Sequence, residues 1–488
     1  YGQSSIGASV SGTFMVHSET TSAFGAGWTL EGLDRARTVG SSSILITKGD
    51  GGSRYFVWDS TVDTFVTPKG EFSTLTRDGS GLQWRWKGGT VVRFDNRGFQ
   101  RSVTDRNGNS TVYEYDSADR LSRITDPVGL FTNFAYGADG KLVAVTDPAG
   151  HVTLFDHNEA SDLVGIRNAD GTEREFYYNV RHLLAAQIAE NGATTQYQYD
   201  AYGRNTGAML EGGATRSIIA ADARGVLDPA VEVGTPDHPA PLYLSKDIMG
   251  EYLDASGRVT KVLTDRFGRE TIRIDGLGRT IRTERDISGL PLRVYDRGRV
   301  TDNEYDTRGN LMHTSIFGFG HDVNIAYESV YNQPTRIVDA NDNATDISYD
   351  EFGNLIQITG ARSARTNFSY FANGLLRTVQ DALNHTTIYE VDMRGNTSAV
   401  IDADGKRTTF TRDAAGNVTR VRDAKGRDVI MAYDSMNRLT SVTDAAGGGT
   451  EYTYTPTSKI ATIRDAKNQT TTFTYNLRDF LVRVTNPT

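Results

Sequence analysis

Tyr115-Asp116-Ser117-Ala118-Asp119-Arg120-Leu121-Ser122-Arg123-Ile124-Thr125-Asp126-Pro127-Val128-Gly129 is one copy of a unit that this chain repeats along most of its length. Steps of 21 residues from Phe94 reach Tyr115, Tyr136, His157, Tyr178 and Tyr199. The same step from Tyr349 reaches Tyr370, Val391, Arg412, Tyr433, Tyr454 and Tyr475. Two residues earlier stand Tyr113, Phe134, Phe155, Phe176 and Tyr197, then Ile347, Phe368, Tyr389, Phe410, Met431, Tyr452 and Phe473. Nine residues after each step in the second half stand Ile358, Val379, Val400, Val421, Val442, Ile463 and Val484. Eleven residues after stand Asp105, Asp126, Asp147, Asp381, Asp402, Asp423, Asp444 and Asp465. A fixed period of this length means one small unit stacked many times.

Each unit reads as two short strands joined by two turns. Asp402-Ala403-Asp404-Gly405 is a turn in which Asp bonds its own backbone and Gly accepts positive φ. Thr471-Thr472-Phe473-Thr474-Tyr475 alternates, so Phe473 and Tyr475 share one face of a strand. Leu439 and Val442 lie three apart, which a regular strand would place on opposite faces. Either a bulge intervenes or both faces are partly covered.

Composition agrees with a hairpin array. Glycine numbers 50 of 488 residues, above the usual ~7%, and proline only 11. The net charge of −9 argues against a nucleic-acid footprint. No cysteine means no disulfide, thiolate nucleophile or Cys-ligated metal. No apolar stretch reaches the ~18 residues of a membrane span, and no signal peptide opens the chain. Both ends, Tyr1 and Thr488, read as cuts within a longer polypeptide.

Four segments are expected. Residues 1–93 lack the repeat, hold Trp28, Trp58, Trp84 and Trp86, and read as a β cap on one end of the array. Residues 94–206 form a first repeat block. Residues 207–250 contain Pro229, Pro236, Pro239 and Pro241 and read as an insertion or plug. Residues 251–488 form a second block, in which the register slips at Tyr305, Tyr327 and Tyr349.

The units resemble YD repeats, also called Rhs repeats, and Phe24-Gly25-Ala26-Gly27-Trp28-Thr29-Leu30 is similar to a Gly-x-Gly-Trp segment that precedes such arrays. The resemblance covers about four-fifths of the chain. It implies an all-β array of short hairpins spiralling into a hollow, barrel-like shell, partial or open in this chain. About 19 units imply roughly 38 strands, far beyond the ~10 that an open sheet holds without curling. The resemblance also implies a structural, non-enzymatic role: enclosing and helping to deliver a C-terminal toxin or effector domain of a larger secreted or surface-displayed bacterial protein. The rival reading is a cell-surface adhesion or carbohydrate-binding module. The expected partners are the chain's own effector, secretion-system or surface components, and glycans, with no cofactor. The family's terminal core segment, rich in Asp-Pro-x-Gly-Leu, has no match here, so no protease aspartate is carried over.

Candidate chemistry is sparse. Asp339-x-Asn341-x-Asn343 running to Asp350 imitates a calcium loop but has Ala344 where the loop needs glycine. His151 and His157 are the nearest histidine pair, and His157 reads as a core substitute in the Tyr column. Asp423 and Asp444 recur at turn positions, against a paired glycosidic role. The residues singled out are therefore structural: Tyr115, Tyr136, Tyr178, Tyr199, Tyr349, Tyr370, Tyr433, Tyr454 and Tyr475, with Asp126, Asp147, Asp381, Asp402, Asp423, Asp444 and Asp465. No catalytic, cofactor-binding or metal residue is assigned.

Overall fold

The computed structural model describes residues 22–40, 42–219, 248–265, 267–318 and 320–487. The proline cluster of the expected insertion and the first 21 residues of the expected cap lie outside the described residues. Among the described residues there is no α-helix, and a single 3-10 turn occupies Glu211–Gly213. From Thr74–Asp78 to Leu481–Thr485 a long antiparallel sheet of 38 strands runs in chain order. It is not closed: the last strand is exposed at every residue, and its described pairing is with Thr470–Tyr475.

The repeating hairpin follows from its residues. Tyr433 pairs with Leu439, Ala432 with Ser441 and Met431 with Val442, so Thr440 is an extra residue in its strand. This bulge answers the spacing question. It turns Leu439 and Val442 onto one face, together with Met431 and Tyr433. The same bulge follows Tyr115, Tyr136, Tyr178, Tyr370, Tyr454 and Tyr475.

Both turns of the unit use one design. The Asp126 amide donates to the Leu130 carbonyl at 2.8 Å, and the Gly129 amide donates to the Asp126 carbonyl at 3.1 Å. Its carboxylate Oδ1 accepts from the amides of Val128 and Leu130. Asp116 repeats this with Ala118 and Arg120. The fourth position takes a left-handed φ of 87° at Gly129 and 63° at Asp119. Gly, Asp and Asn tolerate that region best, which explains the composition of both turns. Two of the register slips have local causes. Arg297 and Gly298, both at positive φ, make a two-residue hairpin between Pro291–Asp296 and Arg299–Tyr305. The turn after Tyr327 closes from Glu328 N to Gln333 O, one residue longer than the standard turn.

The chain divides into two compact units. The smaller holds residues 195–325 and 339–341, with the hairpins from Thr194–Tyr199 to His321–Tyr327. Asn205–Met209, which runs into the expected insertion, pairs with Thr215–Ile219 inside it, and Thr215–Ile219 pairs on with Ile248–Leu253.

The larger unit holds residues 1–194, 326–338 and 342–488. Its first run of hairpins extends from Thr74–Asp78 to Leu184–Ile188, and its second from Pro334–Val338 to Leu481–Thr485. A four-stranded sheet, Arg35–Val39, Ser43–Thr47, Ser53–Asp59 and Thr64–Val66, joins the start of the first run. Ile44, Ile46 and Phe56 from this sheet pack with Leu75, Trp84, Val92 and Phe94 in one buried core. Thr74–Asp78 and Gly81–Arg85 already belong to the long sheet, ahead of Val91–Asp95, which carries Phe94, the first residue of the periodic column.

Candidate functional site

The Tyr column is a row of braces. The hydroxyl of Tyr136 donates to the carbonyl of Leu121, 15 residues back, at 2.6 Å. The same bond joins Tyr115 to Gln100, Tyr178 to Leu163, Tyr349 to Pro334, Tyr370 to Leu355, Tyr433 to Val418 and Tyr454 to Leu439. Each ties one unit to the preceding one across the bulge. Burial, the largest influence, pushes the Tyr115 and Tyr136 hydroxyls well above the ordinary phenol range. It raises Tyr199, Tyr349, Tyr370, Tyr433 and Tyr454 as well. A buried neutral hydroxyl with a carbonyl acceptor is a structural group. Tyr475 holds the same place beside Leu481 in the final hairpin. Where arginine replaces Tyr the outcome varies. Arg285 Nε still reaches the carbonyl 15 residues back, on Glu270, whereas Arg412 bonds forward to Gly416 and leaves a buried Nε with no partner among the described residues.

The Asp column is equally local. Asp147 Oδ1 accepts from Ala149 and His151, Asp381 from Leu383 and His385, and Asp402 from Asp404 and Lys406. Asp423, Asp444 and Asp465 do the same in their own turns. The His385 and Arg427 amides are the largest influences holding the Asp381 and Asp423 carboxyls below the usual range. A carboxylate saturated this way is a poor general acid or base. Asp339 and Asp350, the imitation calcium loop, each accept amides within their own turns. Among the described residues, no three or more His, Cys, Asp or Glu side chains are grouped to hold a metal ion.

The edges of the two runs differ in what covers them. Turns at one edge of the first run abut the Tyr-side turns of the second. Asn354 Nδ2 donates to Asn107 Oδ1 at 2.9 Å, and Asn109 Nδ2 to the Asn373 carbonyl at 2.9 Å. Arg438 bridges Asp434 in its own turn and Asp170 of the first run, with both partners of the long-range pair well covered. Asn191 Nδ2 donates to the Leu477 carbonyl at 3.1 Å. The corresponding turns of the second run, around Asp381, Asp402, Asp423, Asp444 and Asp465, are largely exposed.

The opposite edge of the first run carries the segment 22–34. The Leu142 amide donates to the Ala23 carbonyl at 2.8 Å and the Ala26 amide to the Ser161 carbonyl at 3.2 Å. Trp28 packs edge-on against Phe176, centroids 5.0 Å apart, and its Nε1 donates to the Tyr178 hydroxyl at 2.8 Å. Gly25 sits at φ 105°, where an added Cβ would lie 3.0 Å from Leu163. Farther along, Gln100 ties the Asp34 amide to the Gly32 carbonyl.

Sequence reasoning picked out the Trp28 segment but not the side chains it meets. It also missed the turn-to-turn bonds and an amide ladder on the polar face, Gln357 to Asn367 to Gln380. Asn and Asp in turns look alike whether they serve their own loop or a neighbouring one.

Residues 62–225 match the family model described as Teneurin YD-shell, and residues 391–428 match the RHS Repeat model. Double-stranded DNA deaminase toxin A of Burkholderia cenocepacia (strain H111) is 33% identical over 128 residues, 26% of this chain and 9% of that protein. A structure of the Photorhabdus luminescens Tc holotoxin pore aligns with a TM-score of 0.46 at 12% identity, covering 92% of this chain and 27% of that one. The crystal structure of TcdB2-TccC3 without its hypervariable C-terminal region aligns with a TM-score of 0.48 at 12% identity, again covering 92% and 27%. The chain therefore spans about a tenth of the curated relative and about a quarter of each of these two structures. No helix among the described residues is long and apolar enough to cross a membrane.

Proposed function

We propose that this chain is part of the wall of a YD/Rhs-repeat shell that encloses a C-terminal toxin or effector domain of a larger secreted polypeptide and helps deliver it. The observation that carries the reading is the match of residues 62–225 to a YD-shell family, a stretch that includes the bulged hairpins braced by Tyr115, Tyr136 and Tyr178. The likeness of one quarter of the chain to a deaminase toxin supports a toxin context. The described chemistry fits a wall: the repeated carboxylates accept backbone amides and the repeated hydroxyls donate to backbone carbonyls. The wall itself performs no reaction in this reading. Its partner is the effector, and its place of action is outside the producing cell.

The test is limited proteolysis of the full-length polypeptide. A domain following this chain is expected to stay intact until urea unfolds the wall, and then to be cut together with it. A following domain cut equally fast with the wall folded overturns the reading. So does a polypeptide that continues into a surface anchor or lectin domain with no cargo, an arrangement that favours adhesion.

A further inference from the structure

His157 stands in the Tyr column but makes no brace. Its imidazole lies under the segment Ser22–Leu30, and its Nε2 is buried with no hydrogen-bond partner among the described residues. The segment sits close: a Cβ on Gly25 would lie 3.4 Å from that Nε2 and 3.0 Å from Leu163. Lys141, itself buried, donates from Nζ to the Ser22 carbonyl at 2.9 Å. A cation therefore already occupies the floor of this contact.

The charged surroundings are few. Lys141 and Asp139 face the ring from the turn before Leu142, and Asp156 from its own strand. Beside Leu163 lies the hydrogen bond between His182 Nδ1 and Asp162 Oδ1 at 2.8 Å. Ser22–Leu30 contributes no charged side chain. Asp139 and Asp156 are exposed and solvated, so they offset little of a buried charge.

We propose that His157 is a pH-sensitive latch: the neutral ring lets Ser22–Leu30 lie down on the first run, and protonation loosens that segment while the sheet stays folded. Protonation would add a second cation beside Lys141 in a covered site. Burial, the largest influence, accordingly holds the imidazole below the ordinary histidine value of 6.5, against a backbone hydrogen bond with Phe24 that favours the charged form. The sign follows by linkage. A lowered folded pKa gives full attachment above 6.5, lost progressively as pH falls toward the folded value. Loosening uncovers Trp28, Leu163 and Phe176, all buried in the attached form.

Hydrogen exchange of the Ala26 and Leu142 amides, corrected for intrinsic rate, reads the latch directly. Protection is expected to fall by up to about tenfold per pH unit below pH ~6.5, the limit for one proton. In His157→Gln it should be independent of pH from 8 to 5. Equal pH dependence in the wild type and His157→Gln overturns the proposal. Should His157→Gln leave the segment unprotected even at pH 8, an NMR titration of His157 in the wild type decides: a midpoint below 6.5 sustains the latch and one at or above 6.5 ends it.

Discussion

The two runs of the larger unit are built from the same hairpin, yet they differ in burial. In the first run Phe134, Phe155 and Phe176, with Leu121, Leu142, Leu163 and Leu184, are buried. In the second run the matching Phe368, Phe410, Phe473, Leu355, Leu376 and Leu439 are only half-buried, and Leu481 is exposed. The repeat is therefore sufficient to make a ladder, with its bulge, turns and Tyr braces, in either place. It is not sufficient to make a core. Trp28 and Gly25 show part of what closes the first run: a non-repeating segment laid on Phe176 and Leu163. Full burial of one Phe or Leu side chain is worth about 1.5–3 kcal/mol, so each covered residue gains more than its half-buried counterpart.

Three pairs of substitutions would break or sharpen this contrast. Long arrays unfold locally, so each is read by residue-resolved hydrogen exchange rather than by one melting temperature. The largest effect is expected at Trp28→Ala. Losing a 6%-exposed Trp with its ring contact and its bond to Tyr178 should destabilise the strands around Phe176 by about 3–5 kcal/mol. Phe473→Ala, half-buried in the last full repeat, should cost its neighbours under about 2 kcal/mol. Equal losses at the two sites would mean that the cover adds nothing.

Next comes a glycine pair in one column. Gly98 has φ 80°, and an added Cβ would lie 1.9 Å from the Ala36 carbonyl oxygen, whereas Gly416 has φ 90° with nothing within 4 Å. Gly416→Ala should cost only the backbone term of about 1–2 kcal/mol. Gly98→Ala adds overpacking worth about 1–3 kcal/mol more and should expose the Ala36 amide, which bonds the Gly98 carbonyl. Unchanged protection at Ala36 would show that the four-stranded sheet can move aside freely.

The smallest effect is expected from removing one brace. Tyr433→Phe should cost about 0.5–1.5 kcal/mol, because water can reach the freed Val418 carbonyl in the half-exposed run. Tyr136→Phe should cost more, up to about 3 kcal/mol, because the Leu121 carbonyl lies against a buried side chain. The same order should appear in alkali. Raised phenol values keep stability in full below the ordinary 10.0 and lose it as pH rises through the folded values, so the second-run braces should ionise before Tyr115 and Tyr136. Ultraviolet titration of the phenolates checks this, and simultaneous ionisation of all of them would remove the distinction.

The repeat made much of this fold legible before any coordinates. Asp126 and Gly129 mark a turn because a side-chain oxygen two residues before a backbone amide, and a residue tolerant of positive φ, fit there. Phe473 and Tyr475 mark a face because strand side chains alternate. The bulge at Thr440 was visible only as a spacing that failed to fit, since an extra residue leaves no type preference behind. The slips at Tyr305 and Tyr349 became intelligible once the turn at Arg297-Gly298 and the longer turn at Glu328–Gln333 were seen.

Sequence alone determined the unit, its turns and its strand faces, because all of these rest on interactions within about 20 residues. The tertiary structure decided which copies meet and which are covered. Arg438 finds Asp170 across 268 residues, and Trp28 finds Tyr178 across 150. Every unit offers nearly the same turns and the same apolar face, so local chemistry cannot choose among them. That choice depends on the accumulated twist and curvature of many strands, a property no single repeat contains.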